Sequence, residues 1–186
     1  MKVSDAIADW LISHGVNVVF GISGGASLHL LHSCAAKGIK LVCPQHECSS
    51  AFAADAYARI RGFGVAIVTS GPGATNAVTG LAASYYDSIP VLLLSGNQTR
   101  ERLQQGSGVR QYGFQATPIV EVASAITKGA WQIWRPEEII ATLDKALRVA
   151  KEGRPGPVLV DVPDDVQRAQ VCPVTIKVAS CQTIAA

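Results

Sequence analysis

Val65-Ala66-Ile67-Val68-Thr69-Ser70-Gly71-Pro72-Gly73-Ala74-Thr75-Asn76 carries the decisive pattern of this chain. An uninterrupted apolar run of strand length ends at Thr69. A turn of small residues follows, and a helix is expected over Gly73 to Tyr86. A strand apolar on both faces, feeding a helix through a Gly/Pro turn, belongs in a parallel sheet covered by helices on either side. The same unit recurs outward in both directions. Toward the N-terminus, Val3, Ala6, Ile7, Trp10 and Leu11 stripe a helix that Gly15 ends. A strand follows over Val16 to Phe20, a turn over Gly21 to Gly25, and a helix over Ala26 to Ala36. The strand Ile39 to Cys43, broken by Pro44, leads into an Ala-rich helix, His46 to Arg61.

Toward the C-terminus the spacing predicts a buried strand at Val91 to Leu94 and a polar stretch, Gln98 to Tyr112. A short helix over Pro118 to Ser124 and a strand at Ala130 to Ile133 come next. A strongly striped helix, Ile139 to Ala150, is stopped by Gly153 and Pro155, and Val158 to Val162 is the last strand. The expected fold is α/β, in three layers: a mostly parallel sheet of about six strands with helices on both faces. It occupies residues 1–167, and the unpatterned residues 168–186 read as a linker or tail toward a further domain.

The totals exclude several classes. Hydrophobic residues make up 48%, charged residues 16%, and the net charge is +2, with Lys and Arg scattered singly. No basic run suits nucleic acid or an anionic membrane. No apolar run reaches the roughly 18 residues of a membrane span, and the N-terminus lacks the apolar core of a signal peptide. Five cysteines form no CxxC pair and have no His at metal spacing, so no metal site is expected. An odd count without a secretion signal reads as reduced thiols in the cytoplasm. Cys34 and Cys43 read as core packing.

In parallel sheets ligands gather beyond the carboxyl ends of the strands. Three stretches stand there. Gly21-Ile22-Ser23-Gly24-Gly25 is not GxGxxG, and no acidic residue follows at ribose spacing, which disfavours a dinucleotide. Taken alone its glycines serve a tight turn. Gln45-His46-Glu47-Cys48 opens a helix, where a carboxylate by itself favours the helix dipole. Thr69 to Asn76 lacks GxxxxGK, so a triphosphate loop is unsupported, although its amides suit an anion.

Read together these stretches say more. His46-Glu47, Asp55-Ala56-Tyr57-Ala58-Arg59, Thr69 to Asn76 and Asp87-Ser88-Ile89-Pro90 fall in one order. Val19-Phe20-Gly21, Gly24-Gly25-Ala26, Ile126-Thr127-Lys128 and Gly153-Arg154-Pro155-Gly156-Pro157-Val158 complete it, with Asp161, Pro163 and Asp165-Val166-Gln167 behind. From residue 3 to about 167 the chain resembles the pyrimidine-binding (Pyr) domain of the acetolactate synthase group of thiamine diphosphate enzymes. The resemblance implies a flavodoxin-like Pyr fold and a cofactor, thiamine diphosphate, shared with a second domain. That PP domain or subunit holds the diphosphate through Mg2+, using a Gly-Asp-Gly motif. No Gly-Asp-Gly occurs in this sequence.

The resemblance makes Glu47 the catalytic carboxylate. It would share a proton with the pyrimidine N1′, favour the imino tautomer and so promote loss of the thiazolium C2 proton, ahead of attack on a 2-oxo acid. Gly24, Thr69, Pro72 and Asn76 match positions lining the pyrimidine pocket. Phe114-Gln115 resembles a pair reaching the cofactor and substrate side, so Gln115 joins the cofactor-binding set. Ile22-Ser23 replaces the commoner Tyr-Pro, and Ala116 stands where a glutamate usually follows. The Gln98–Tyr112 stretch, with Arg100, Arg102 and Arg110, is longer than is typical. Lys128 is either a contact for an acidic substrate or a solvated lysine at a strand end.

The implied function is the Pyr half of an enzyme that decarboxylates or ligates a 2-oxo acid, inert without its PP half and assembled as a homo-oligomer. Three other readings stand beside it. One is a separate α subunit, resembling that of sulfopyruvate decarboxylase. Another is a non-catalytic binding module that kept the Pyr fold. The third is a flavodoxin-like flavin binder, which would show flavin absorbance.

Overall fold

The computed structural model describes residues 1–103, 108–111 and 113–172. Six strands form one sheet in which every neighbouring pair runs parallel. They are β1 (Val18–Gly21), β2 (Lys40–Val42), β3 (Gly64–Val68), β4 (Val91–Asn97), β5 (Gly129–Gln132) and β6 (Val158–Pro163). The spatial order is β2-β1-β3-β4-β6-β5. β3, β4 and β6 are buried along their whole length, whereas the edge strands β2 and β5 are half-buried or exposed.

Alternation along the central strands divides the core in two. Val65 and Ile67 face one side, together with Leu92, Leu94, Val158 and Val160. Onto them pack α1 (Val3–Ser13), α2 (Leu28–Ala36) and, later in the chain, α8 (Ile139–Lys151). Ile7, Trp10 and Leu11 of α1 are at most 1% exposed, each worth about 1.5–3 kcal/mol of apolar burial. Ala66, Val68, Leu93 and Leu159 face the other side. There the Ala-rich α3 (Glu47–Arg61) lies low on the sheet through Ala51, Ala54 and Ala58, beside Leu81.

The expected single helix Gly73 to Tyr86 is two helices, α4 (Pro72–Asn76) and α5 (Val78–Asp87), meeting at Ala77. α5 is tied to α3 through Asp55. That carboxylate, 4% exposed, accepts from Arg59 Nε (2.6 Å) and Ser84 Oγ (2.7 Å), and Arg59 Nη2 reaches Asp87 (2.6 Å). The Asp55…Arg59 part of the motif therefore braces two helices.

Among the described residues three further short α-helices follow, two of them unexpected from periodicity. α6 (Arg100–Leu103) has no buried residue, and α9 (Asp164–Arg168) buries only Val166 and Gln167. α7 (Ile119–Ala123) lies where a helix was expected. Ala169 and Val171, within the expected tail, bond back to Val3 and Met1, and Gln170 bridges Lys2. Residues 173–186, with Cys181, lie outside the described residues, as do 104–107 and 112 within the long polar stretch. Cys34 is buried as expected, and burial pushes its thiol up to about 12. Cys43 is exposed, because β2 ends at Val42 and releases the next residue to solvent. Among the described residues no helix is long and apolar enough to cross a membrane.

Candidate functional site

Strand order makes the site. β1 lies between β2 and β3, so the turns leaving these three strands are neighbours, at the place where the chain's progress across the sheet reverses. Gly24 follows β1, Glu47 follows β2, and Thr69 and Pro72 follow β3.

Glu47 is the first residue of α3 and half-buried. The cap of that helix is His46, whose Nδ1 accepts from Cys48 N at 3.1 Å. The glutamate side chain turns instead to the neighbouring loop, where Oε2 accepts from Asn76 Nδ2 at 3.0 Å. Among the described residues Oε1 has no hydrogen-bond partner. Asn76 reaches this position because the Pro72 turn starts α4 directly above β3, with Pro at its first position.

The glycines act through space and conformation. A Cβ on Gly24 would lie 2.4 Å from Thr69 Cβ, so only glycine lets the β1 turn close on the β3 turn. Thr69 Oγ1 then accepts from Ala26 N at 3.2 Å and ties the two turns together. Gly71 has φ 63° and ψ −125°, which an L side chain avoids, and Gln115 sits against it. Gln115 itself has φ 56°. All six expected site residues, Gly24, Glu47, Thr69, Pro72, Asn76 and Gln115, thus belong to one connected surface at one end of the sheet.

Residues 1–122 match the family model described as "Thiamine pyrophosphate enzyme, N-terminal TPP binding domain". The chain belongs to this family. This N-terminal TPP binding domain is 42% identical over 174 residues to "Acetolactate synthase 2, chloroplastic" from Nicotiana tabacum. It is 40% identical over 172 residues to "Probable acetolactate synthase large subunit" from Methanocaldococcus jannaschii, and 39% over 184 to "Acetolactate synthase" from Arthrospira platensis. These matches cover 92%, 92% and 96% of this chain, but only 25%, 28% and 31% of the respective relatives. It is therefore an N-terminal thiamine diphosphate enzyme domain of acetolactate synthase type, spanning about a quarter to a third of the relatives it matches.

Lys128 lies away from the site in this TPP binding domain. It precedes β5, at the amino ends of the parallel strands, and its Nζ donates to the Glu152 carbonyl. Its stem packs beside Gly156. The geometry gives it an anchoring role at the opposite end of the sheet from Glu47.

Sequence reasoning missed a buried polar group at the carboxyl end of the sheet. Asp161 on β6, fully buried, accepts from Ser95 Oγ and, at 2.7 Å, from Asn97 Nδ2. Burial pushes its carboxyl up to about 6, with the Ser95 and Asn97 hydrogen bonds pulling the other way and the Glu121 charge adding to the rise. A raised folded-state pKa means that the folded chain holds this proton more tightly than the unfolded chain. The resulting stability is full below about pH 4 and is lost as pH rises through about 6. Asp161→Asn removes the titration. Relative to the parent, the variant should gain stability between pH 4 and 6, on the order of 2–3 kcal/mol, and hold that gain above. Melts across this range check it, and parallel curves for the two proteins would refute it.

Proposed function

We propose that this chain is the pyrimidine-binding half of a thiamine diphosphate enzyme acting on a 2-oxo acid, with Glu47 as the proton-handling carboxylate. The observation that carries the reading is the convergence of three post-strand turns on one carboxylate that is oriented by Asn76 and does not cap its helix. The donor set fits an aminopyrimidine. One glutamate oxygen is held by the protein, and the other is left to share a proton with a ring nitrogen. Gly24, Thr69, Pro72, Asn76 and Gln115 would line the ring. When bound, the cofactor supplies a carbon nucleophile and electron sink for a 2-oxo acid. This chain's own contribution is to orient the ring and to hold a proton at the Glu47 carboxyl.

The diphosphate and its Mg2+ belong, in this reading, to a PP domain or subunit, in keeping with the absence of Gly-Asp-Gly from the sequence. Association of copies is part of the proposal. Phe52, Ala56 and Ile60 stand one helical turn apart on the exposed face of α3, with Phe52 43% and Ile60 83% exposed. Tyr86 of the adjoining α5 is 70% exposed. Apolar surface of this kind favours a partner over water.

The test pairs the isolated 186-residue chain with the complete enzyme, meaning this chain assembled with its PP domain or subunit, each supplied with thiamine diphosphate, Mg2+ and pyruvate or another 2-oxo acid. The complete enzyme should turn over at least one 2-oxo acid and sediment as an oligomer. The isolated chain should be inert, because half a site lacks the anchor that supplies most cofactor binding. Turnover by the isolated chain would refute the half-site reading, and a complete enzyme inert toward every 2-oxo acid would refute the enzyme reading.

A further inference from the structure

Asn97 is the last residue of β4 and 2% exposed. Its side-chain amide is fully used. Oδ1 accepts from Gln98 N at 3.0 Å, while Nδ2 donates to Thr117 O at 3.2 Å and to Asp161 Oδ2 at 2.7 Å. Gln98 and Thr117 are the two ends of the segment connecting β4 with α7, so one buried amide holds both. Asp161 sets the direction of that amide, and Ser95 Oγ engages the other carboxylate oxygen. A carboxylate acts only as an acceptor, so Asn97 must present its Nδ2 to Asp161, which leaves Oδ1 to face Gln98.

Two residues before Thr117, Gln115 lies against Gly71 with its backbone in the left-handed region. A Cβ on Gly71 would stand 2.7 Å from Gln115 Cβ and 2.8 Å from its carbonyl oxygen. Such a conformation persists only where the surroundings over-determine it. The contact with Gly71 supplies one restraint, and the Thr117 carbonyl held by Asn97 supplies another.

We propose that Asn97 and Asp161 form a buried positioning pair that clamps both ends of the segment between β4 and α7 and so seats Gln115 on the Gly71 turn. Asp161 touches neither Gln115 nor Glu47; it acts through Asn97. The clamp stands on the fold alone, while its consequence for catalysis rests on the thiamine diphosphate reading of Gln115.

Amide hydrogen exchange on the complete enzyme tests the clamp. Asn97→Asp keeps the size and an acceptor for Gln98 N but removes the donor to Thr117 and sets a second carboxylate beside Asp161. The double variant Asn97→Asp/Asp161→Asn restores a donor between the pair, which protects folding, yet still leaves Thr117 O with only its local donor, Ile119 N (2.8 Å), and no tie to β4. In both variants, protection of residues 113–117 should fall by about tenfold or more while β3 and α8 keep theirs. Asp161→Asn alone retains an acceptor for Asn97 and should leave the segment protected. Parental protection of 113–117 in the double variant would overturn the proposal, as would loss spread evenly over the sheet. Steady-state kinetics with pyruvate, or whichever 2-oxo acid the enzyme takes, separates the two layers. A raised KM for the 2-oxo acid together with weaker cofactor binding is expected. A loosened segment with parental kinetics would keep the clamp and remove Gln115 from the active site.

Discussion

In the complete enzyme, Glu47→Gln is expected to lower both turnover and C2 hydrogen–deuterium exchange of thiamine diphosphate by about a hundredfold or more. Glutamine keeps the length of the side chain and an oxygen that can accept from Asn76, so the 3.0 Å contact survives. What it removes is the titrating proton. Cofactor affinity should change far less, because the proposed anchor for the diphosphate lies on the PP half. The melting midpoint should also stay near that of the parent. The competing explanation, a carboxylate that merely caps α3, predicts a loss of about 1 kcal/mol in stability with activity per folded molecule intact. The geometry already speaks against it, since His46 caps that helix. Near-normal C2 exchange in the glutamine variant would end the catalytic reading of Glu47.

Gly96→Ala should be the most damaging small substitution in the sheet. A Cβ at this position on β4 would stand 1.7 Å from the Ala26 carbonyl oxygen and 2.4 Å from its carbon. Those are backbone atoms, so no rotamer change relieves the overlap. The same carbonyl accepts from Gln167 Nε2 at 2.6 Å, and Ala26 N donates to Thr69 Oγ1. Pushing Ala26 away therefore breaks the link between the β1 and β3 turns as well. We expect a loss of about 3 kcal/mol or more in unfolding free energy and a fall in cofactor affinity in the complete enzyme. Gly25→Ala is the control, because a Cβ there meets nothing within 4 Å. It should cost under about 1 kcal/mol. Equal destabilisation by the two substitutions in denaturant titrations would contradict this account.

The pattern of elements was legible from short-range information. Val65 to Val68 reads as buried on both faces, and its alternate residues do enter the two cores. The striped helix beginning at Ile139 was equally plain, since Ile139, Leu143, Ala146 and Ala150 all point inward. Failures occurred where periodicity carries little signal. Arg100–Leu103 buries nothing, so no apolar repeat announces it; Arg100 bonds Asp165 through its backbone N (3.0 Å) and Nε (2.7 Å). α9 follows a proline and has only five residues, too few to show a repeat. Cys43 was placed in the core because it ends an apolar run, yet the strand stops one residue earlier.

The candidate site divides in the same way. Residue chemistry and local order put a carboxylate after one strand, a Gly/Pro turn after another and glycines after a third, because each depends only on near neighbours in the chain. That Asn76 meets Glu47 across 29 positions, and that a would-be Gly71 Cβ meets Gln115, follow from the strand order β2-β1-β3 and the path of a long connection. The polar group formed by Ser95, Asn97 and Asp161 was invisible for the same reason. Its members come from two strands adjacent only in space, and a lone Asp in an apolar run has no partner in sequence to mark it. Sequence alone determined the alternation of elements and the family likeness, and it put Glu47 forward as the candidate carboxylate. The tertiary structure decided which turns are neighbours and which buried polar atoms find each other, since pairing between distant strands is set by the packing of the whole sheet.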